Sequence, residues 1–329
     1  MPHILVFGAT GTIGNAIALT LLRSGLHTVY GLARSPAKAS GLSKQEIIPV
    51  LGSISQPDGF LDLLEKHPEI SVVVDAAAAY GESAKLVELL VGAGKKRLQG
   101  WERLGAPSGP KLGYIYVSGM WVHGDSHDPV SDIDASVGTA AAKSAPATMV
   151  AWRPELERLV LSSSTRAALD TAIARPACTY GNGSAIWGGP LSQVLSAARS
   201  DPQPEKVQVT LAPKATVSLI HVEDIATGIE TLIGKLPLLA GTGVYPVFDF
   251  VGHVEGLKAI MEGAARVFGY KGDLELVGPA EGDVVSEAIG ASVVGDSGRA
   301  KALLGWQAKK AGMLHGIDVY ASSWLAGIQ

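Results

Sequence analysis

The stretch Ile4-Leu5-Val6-Phe7-Gly8-Ala9-Thr10-Gly11-Thr12-Ile13-Gly14 constrains this chain more than any other. Four apolar residues run into a glycine loop, and the loop runs into an apolar-periodic segment ending at Leu22. That order reads as strand, tight turn, helix. Gly8 allows the turn, Gly11 lets the backbone approach an anion, and Gly14 lets the helix pack on the strand. Thr10, Thr12 and Ile13 complete a loop whose free N–H groups, at the start of a helix, face a phosphate.

Downstream, strand-like and helix-like segments alternate. Strands are expected near 3–7, 27–33, 47–50, 71–76, 113–118 and 170–175. Helices are expected near 13–24, 58–67, 82–95 and 150–163. Such alternation predicts an α/β fold, a Rossmann-type doubly wound parallel sheet. Gly25 reads as a helix C-cap. Gln99–Pro110 and Gly124–Pro146 read as surface loops. Beyond Gly181 strands become sparse, and helices are expected near 188–200, 222–234, 254–268 and 313–326. The expected division is a nucleotide-binding domain over 1–180 and a smaller, mostly helical lobe over 181–329, with parts of the chain crossing back to the sheet.

The 329 residues are 47% hydrophobic, enough for a large core, and the net charge of −4 offers no basic footprint for nucleic acid. Cys178 is the single cysteine, so no intrachain disulfide or cysteine metal cluster forms, and no metal site is expected. No apolar run approaches about 18 residues, and no charged-then-apolar leader precedes the first strand. A cytoplasmic protein without a membrane span is the expectation.

The loop spacing G-x-x-G-x-x-G in GATGTIG resembles the extended, epimerase/dehydratase-like branch of the short-chain dehydrogenase/reductase superfamily. The resemblance continues through Arg175-Pro176-Ala177-Cys178-Thr179-Tyr180-Gly181, Ile220-His221-Val222-Glu223-Asp224-Ile225-Ala226 and Lys301-Ala302-Leu303-Leu304-Gly305-Trp306. It implies a nicotinamide dinucleotide held by Gly8 to Gly14, by Ser53 near the adenine, by Ala76, Ala77 and Ala78 after the fourth strand, and by Pro176. The residue that follows the second strand decides between the two dinucleotides. An acid there suits NAD, whereas an arginine suits the 2′-phosphate of NADP. No Asp or Glu lies between Arg23 and Glu46, while Arg34, Ser35 and Lys38 do, so NADP(H) is expected.

Redox members of the superfamily carry Tyr-x-x-x-Lys and an upstream Ser or Thr. The tyrosine moves a proton, the lysine lowers its pKa, and the hydroxyl orients the substrate oxygen. None of the eight tyrosines here has a lysine four residues later. The segment Val117-Ser118-Gly119-Met120-Trp121-Val122-His123-Gly124 looks like the family's V-S-S-x-x-V-Y-G, which puts Gly119 in the hydroxyl position and His123 in place of the tyrosine. Trp152-Arg153-Pro154-Glu155-Leu156-Glu157 looks like S-K-x-x-x-E, which puts Arg153 for the lysine and Met149 for the catalytic tyrosine. Pro154 suits a first helical turn, so the helix is open to starting at Arg153. A second register pairs Thr139 with Lys143.

Candidate catalytic residues are therefore Arg153, Tyr180, His123 and Ser118, with Asp125 and His127 as further proton donors. Arg153 is also open to a cofactor role. Trp121, Tyr180, Trp187 and His221 are candidates to contact the substrate, the two tryptophans facing the cofactor from opposite lobes. The expected partner is a small, aromatic or polycyclic molecule. Three functions stay open: an NADP(H)-dependent reductase of a carbonyl or conjugated double bond, a non-redox isomerase, cyclase or dehydratase with structural NADP, and an NADP sensor. Relatives imply a homodimer through residues near 84–94 and 155–163.

Overall fold

The computed structural model describes residues 2–77, 82–133 and 137–328. Its strands are β1 (His3–Phe7), β2 (Thr28–Ala33), β3 (Ile48–Leu51), β4 (Ile70–Asp75), β5 (Leu112–Val117), β6 (Ser126–Ser131) and β7 (Leu169–Pro176), followed by β8 (Cys178–Tyr180), β9 (Lys206–Val209), β10 (Thr216–His221), β11 (Val247–Phe250), β12 (His253–Gly256), β13 (Asp273–Leu276) and β14 (Val293–Asp296). The α-helices are α1 (Thr12–Arg23), α2 (Pro36–Ser43), α3 (Asp58–Lys66), α4 (Ser83–Arg103), α5 (Arg153–Val160), α6 (Ser163–Ala168), α7 (Gly188–Arg199), α8 (Val222–Leu239), α9 (Leu257–Phe268), α10 (Val284–Gly290) and α11 (Ile317–Gly327).

Seven strands form one sheet in the order β11-β7-β5-β4-β1-β2-β3. The pairs from β3 through β7 are parallel. Val72–Val74 and all of β5 are buried, the continuous apolar pattern of strands covered on both faces. The strand order reverses at β1, which lies between β2 and β4. A crevice at the carboxyl ends of such strands is where open α/β sheets take their ligands.

Helix ends follow local chemistry. Gly25, at φ +68°, takes the left-handed conformation that closes α1. Ser35 accepts a hydrogen bond from Lys38 N at 3.4 Å and Pro36 opens α2, a helix whose small residues give no periodic apolar signal. Two expectations of helix extent change. α4 runs to Arg103, past the loop expected from Gln99. Arg97 donates to Ile70 O and Trp101 to Pro110 O, and these tertiary bonds carry the helix through polar sequence. The helix expected over 150–163 is two, because Ser162 caps a new start by accepting from Thr165 N.

The chain forms two compact units, each discontinuous. The first comprises 1–118, 155–175 and 225–248, and the second 119–154, 176–224 and 249–329. A single boundary at residue 180 does not describe them, because 119–154 belongs with the second unit and 225–248 returns to the first. The second unit holds the small sheets β12-β10-β8, β13-β9 and β14-β6. Trp187, Leu219, Met261, Ile317 and Trp324 lie in its core. The segment read as a loop over Gly124–Pro146 contains β6, paired in parallel with β14. Pro129 and two charged or titratable residues hide that strand, and its partner lies far away in sequence. No helix among the described residues is long and apolar enough to cross a membrane.

Candidate functional site

In the first unit the glycine loop is built from close backbone approaches. A Cβ on Gly14 would stand 2.2 Å from Gly8 O, and one on Gly8 would stand 2.5 Å from Ala76 O. Gly8 also has φ +78°, so both glycines are required by the fold itself. Gly11 differs: a Cβ there would meet only Gly8 O, at 3.4 Å. Thr10, Gly11 and Thr12 are exposed, Ile13 is half-buried, and no side chain caps the first turn of α1. The chain alone does not demand glycine at 11, and the open space beside its backbone leaves room for a pyrophosphate. The residues present fit a dinucleotide.

Arg34 follows β2 and is exposed, with Ser35 and Lys38 beside it at the start of α2. Ser53 closes its own turn, accepting from Gln56 N at 3.0 Å. Ala76 and Ala77 follow β4, where Asp75 accepts from Ala77 N at 3.0 Å and from the Tyr114 hydroxyl at 3.2 Å. Burial, with the Asp75 charge behind it, pushes the Tyr114 phenol well up. Ala78 lies outside the described residues.

Ser118 was a candidate catalytic hydroxyl, but the structure engages it elsewhere. Its Oγ donates to Glu157 Oε1 at 2.5 Å, and Glu157 is paired with Arg175 through Nη2 at 2.5 Å and Nε at 3.1 Å. All three side chains are buried. The arginine of the R-P segment and the glutamate of the K-x-x-x-E-like segment thus form one ion pair. Sequence reading quoted both residues without joining them.

In the second unit, Gly119 and Arg153 meet. A Cβ at Gly119 would stand 2.7 Å from Arg153 Nη1 and 3.7 Å from Pro176 O. The guanidinium therefore fills the space into which a serine or threonine at 119 would project. Arg153 Nε is buried with no partner among the described residues, and Cζ lies 5.5 Å from the centre of the Trp152 ring. α5 starts at Arg153, and Met149 sits in a separate 3-10 turn, Thr148–Val150. Thr139 and Lys143 lie in turns rather than on a helix, and Lys143 donates to Pro129 O. That geometry removes the second register.

The other proton-donor candidates of this unit differ in what their polar atoms meet. His123 Nε2 lies 2.8 Å from Asp249 Oδ2, with both side chains buried. Asp249 N donates to Asp132, whose carboxyl is raised first by burial and then by the Asp249 charge. Tyr180 donates to Ala311 O at 2.6 Å, and burial above all holds its phenol far above the ordinary range. His221 Nδ1 accepts from Glu223 N at 3.2 Å, its ring packs edge-on to Tyr180, and burial lowers its pKa. Asp125 accepts from Ser292 N, and His127 is exposed on β6. Trp187 is a core residue whose Nε1 donates to Thr179 O, and Trp121 is half-buried against the same core. Both tryptophans thus lie in one unit, not on opposite lobes.

Asp224 explains two of the sequence matches structurally. Its carboxylate accepts from Lys309 N and Lys310 N, and its carbonyl accepts from Trp306 Nε1. Sequence reading missed Asp249 and Asp132. The signal was an aspartate inside the apolar run Val247-Phe248-Asp249-Phe250, a position that burial penalises unless a partner waits. A surface groove of about 870 Å³ between α3 and α4, lined by Leu61, Leu64, Leu89 and Trp101 among others, contains none of the expected site residues.

The sequence model of the NAD dependent epimerase/dehydratase family matches residues 4–238. The chain belongs to that family. No curated protein matches it. Its fold is similar to UDP-N-acetylglucosamine 4-epimerase from Bacillus cereus, at 16% identity, TM-score 0.67 and coverage of 99% of this chain and 100% of that one. UDP-glucuronic acid 4-epimerase from the same organism, solved with NAD, is similar at 16% identity and TM-score 0.66, with 99% and 100% covered. dTDP-glucose 4,6-dehydratase from Bacillus anthracis, also with NAD, is similar at 15% identity and TM-score 0.64, with 99% and 97% covered.

Proposed function

We propose that this family member is a cytoplasmic NADP(H)-dependent oxidoreductase. In this reading it reduces a carbonyl or a conjugated double bond of a small, aromatic or polycyclic substrate. One observation carries the reading: the guanidinium of Arg153 stands over Gly119, where relatives with a proton relay need a hydroxyl. Interconverting an alcohol and a ketone on a sugar needs a group that takes and returns the hydroxyl proton. Gly119, Met149 and Arg153 supply no such group, since a guanidinium does not deprotonate. A fixed cation instead stabilises negative charge that grows on a substrate oxygen.

A reduced nicotinamide, when bound, supplies the hydride. The chain's residues do the rest. The N–H groups at the start of α1 and the open face of Gly11 hold the pyrophosphate. Arg34, with Lys38 and Ser35, holds the 2′-phosphate, and Ala76 and Ala77 give a small-residue floor for the dinucleotide. The NAD of the structural neighbours belongs to those proteins; Arg34 and the lack of any acid between Arg23 and Glu46 support NADP here. A homodimer through α4 and α5 is part of the proposal, and sedimentation tests it.

The deciding experiment follows reduced-nicotinamide absorbance during turnover, alongside titration of NADPH and NADH by tryptophan fluorescence. Tighter NADPH binding and loss of absorbance with substrate are expected. Turnover at constant absorbance, supported equally by NADP⁺, replaces this reading with a non-redox isomerase, cyclase or dehydratase. NADP(H) binding without turnover of any substrate leaves the sensor.

A further inference from the structure

Gly119 and Arg153 also separate the two reductions, an inference that rests on the reductase reading above. Reduction of an isolated carbonyl ends with a proton on oxygen, so an acid of matched pKa belongs at that atom. Conjugate reduction places the new proton on carbon, and the oxygen needs only hydrogen-bond donors for its charge. The residues around Gly119 fit the second demand. Gly119 brings no hydroxyl, and the first atom a side chain there would meet is Arg153 Nη1. A buried, unpartnered donor such as Arg153 Nε is costly unless a ligand satisfies it. The Trp152 ring braces the guanidinium plane. The hydroxyl of Ser118, next to Gly119 in sequence, is engaged on Glu157.

We propose that Arg153 is an oxyanion-binding residue that makes the chain a reductase of α,β-unsaturated carbonyl compounds rather than of isolated carbonyls. Gly119 is then the specificity-determining residue, because a side chain there would press on Arg153 Nη1 and displace the guanidinium. The substrate's β-carbon gains a hydride and forms a new C–H bond. The C=C pair moves between Cα and the carbonyl carbon, and the C=O π pair moves onto oxygen as an enolate. Arg153 donates hydrogen bonds to that oxygen. Water then protonates Cα as the C=O bond re-forms, the hydroxide is neutralised by solvent, and the substrate has gained two electrons from the nicotinamide.

The test uses the full-length protein with NADP⁺ and 4-nitrophenol, a phenol whose anion mimics the enolate oxygen and whose absorption reports its ionisation. Wild-type protein is expected to lower the bound probe's apparent pKa by about 1–3 pH units, the effect of a cation within about 4–6 Å. Arg153→Met removes the effect, Arg153→Lys keeps part of it, and Gly119→Ser, which crowds the guanidinium, reduces it. Failure of the probe to bind wild-type protein, binding with no change in its ionisation, or an equal effect in a folded Arg153→Met variant overturns the proposal. Should Arg153→Met not fold, equal effects in wild type, Arg153→Lys and Gly119→Ser overturn it instead. NADPH titration on the same samples reads the parent hypothesis separately. Wild-type protein that does not bind NADPH removes the reductase reading, whereas normal NADPH binding with an unaltered probe removes only the oxyanion role.

Discussion

The loop at residues 8–14 and the turn at residues 118–124 both follow a buried parallel strand, and both bring glycines to its carboxyl end. They differ in what the glycines are for. Gly8 and Gly14 are imposed by backbone atoms 2.2–2.5 Å from where a Cβ would sit, so that loop is fixed by the chain's own packing. Gly119 is crowded by a side chain, and a long flexible one, so its neighbourhood is set by that side chain rather than by the backbone. The first loop is shaped by main-chain atoms that cannot move aside; the second is shaped by a side chain that can.

The comparison breaks first at Glu157. If the strand end at Ser118 is held by the buried pair, Glu157→Leu removes the acceptor of both the Ser118 hydroxyl and the Arg175 guanidinium, and urea denaturation should show a loss of about 3–5 kcal/mol. A loss below about 1 kcal/mol would mean the pair does not anchor it. Next comes Gly11→Val. It should fold, since only Gly8 O lies near, yet weaken NADPH by more than about 100-fold, or about 2.7 kcal/mol. Unchanged affinity would reduce the first loop to a structural turn. Arg34→Ala should cost NADPH about 1.5–3 kcal/mol of binding and leave NADH nearly unaffected, as for a hydrogen bond to a charged group. Equal wild-type affinities for the two cofactors would remove that argument.

Smaller effects sharpen the second turn. Tyr180→Phe should lower stability by about 0.5–1.5 kcal/mol and leave kcat within a few-fold, because the hydroxyl serves Ala311 O, which Tyr320 also reaches at 3.2 Å. A general acid would instead contribute about 10²–10⁴-fold in rate. The smallest effect concerns His221. Burial lowers its folded pKa below the ordinary 6.5. Its neutral form therefore stabilises the fold above that value, and stability falls as pH drops below it, where the unfolded chain takes up the proton first. His221→Gln should flatten this acid-side decline in urea midpoints measured on either side of the unfolded pKa.

How much of this was legible in the sequence follows the same division. Strands β1 to β5 and β7 could be read within a residue or two, because continuous apolar runs and glycine turns are local signals. α2 could not, since Ala, Ser and Gly give no apolar stripe. β6 could not, because its partner is β14. At the site, the motif register found Gly119, Arg153 and Glu157 by counting residues. What a hydroxyl or imidazole bonds to is a tertiary property, so the partners of Ser118, His123 and Tyr180, namely Glu157, Asp249 and Ala311 O, could not be read locally. The tryptophans could not be assigned for a related reason: an aromatic that lines a cavity and one that fills a core have the same local sequence.

The pairing of β6 with β14 also sets an order in time. Val130 lies opposite Gly295, so the early strand has no edge to join until the ribosome has added more than 160 further residues. At about 5–20 residues per second that wait is on the order of 10–30 s. Through that interval the β6 segment, only two residues after the turn that carries His123, emerges without its partner, while β1 to β5 already have theirs. During synthesis β1 to β5 can therefore pair with one another while β6 still waits for β14.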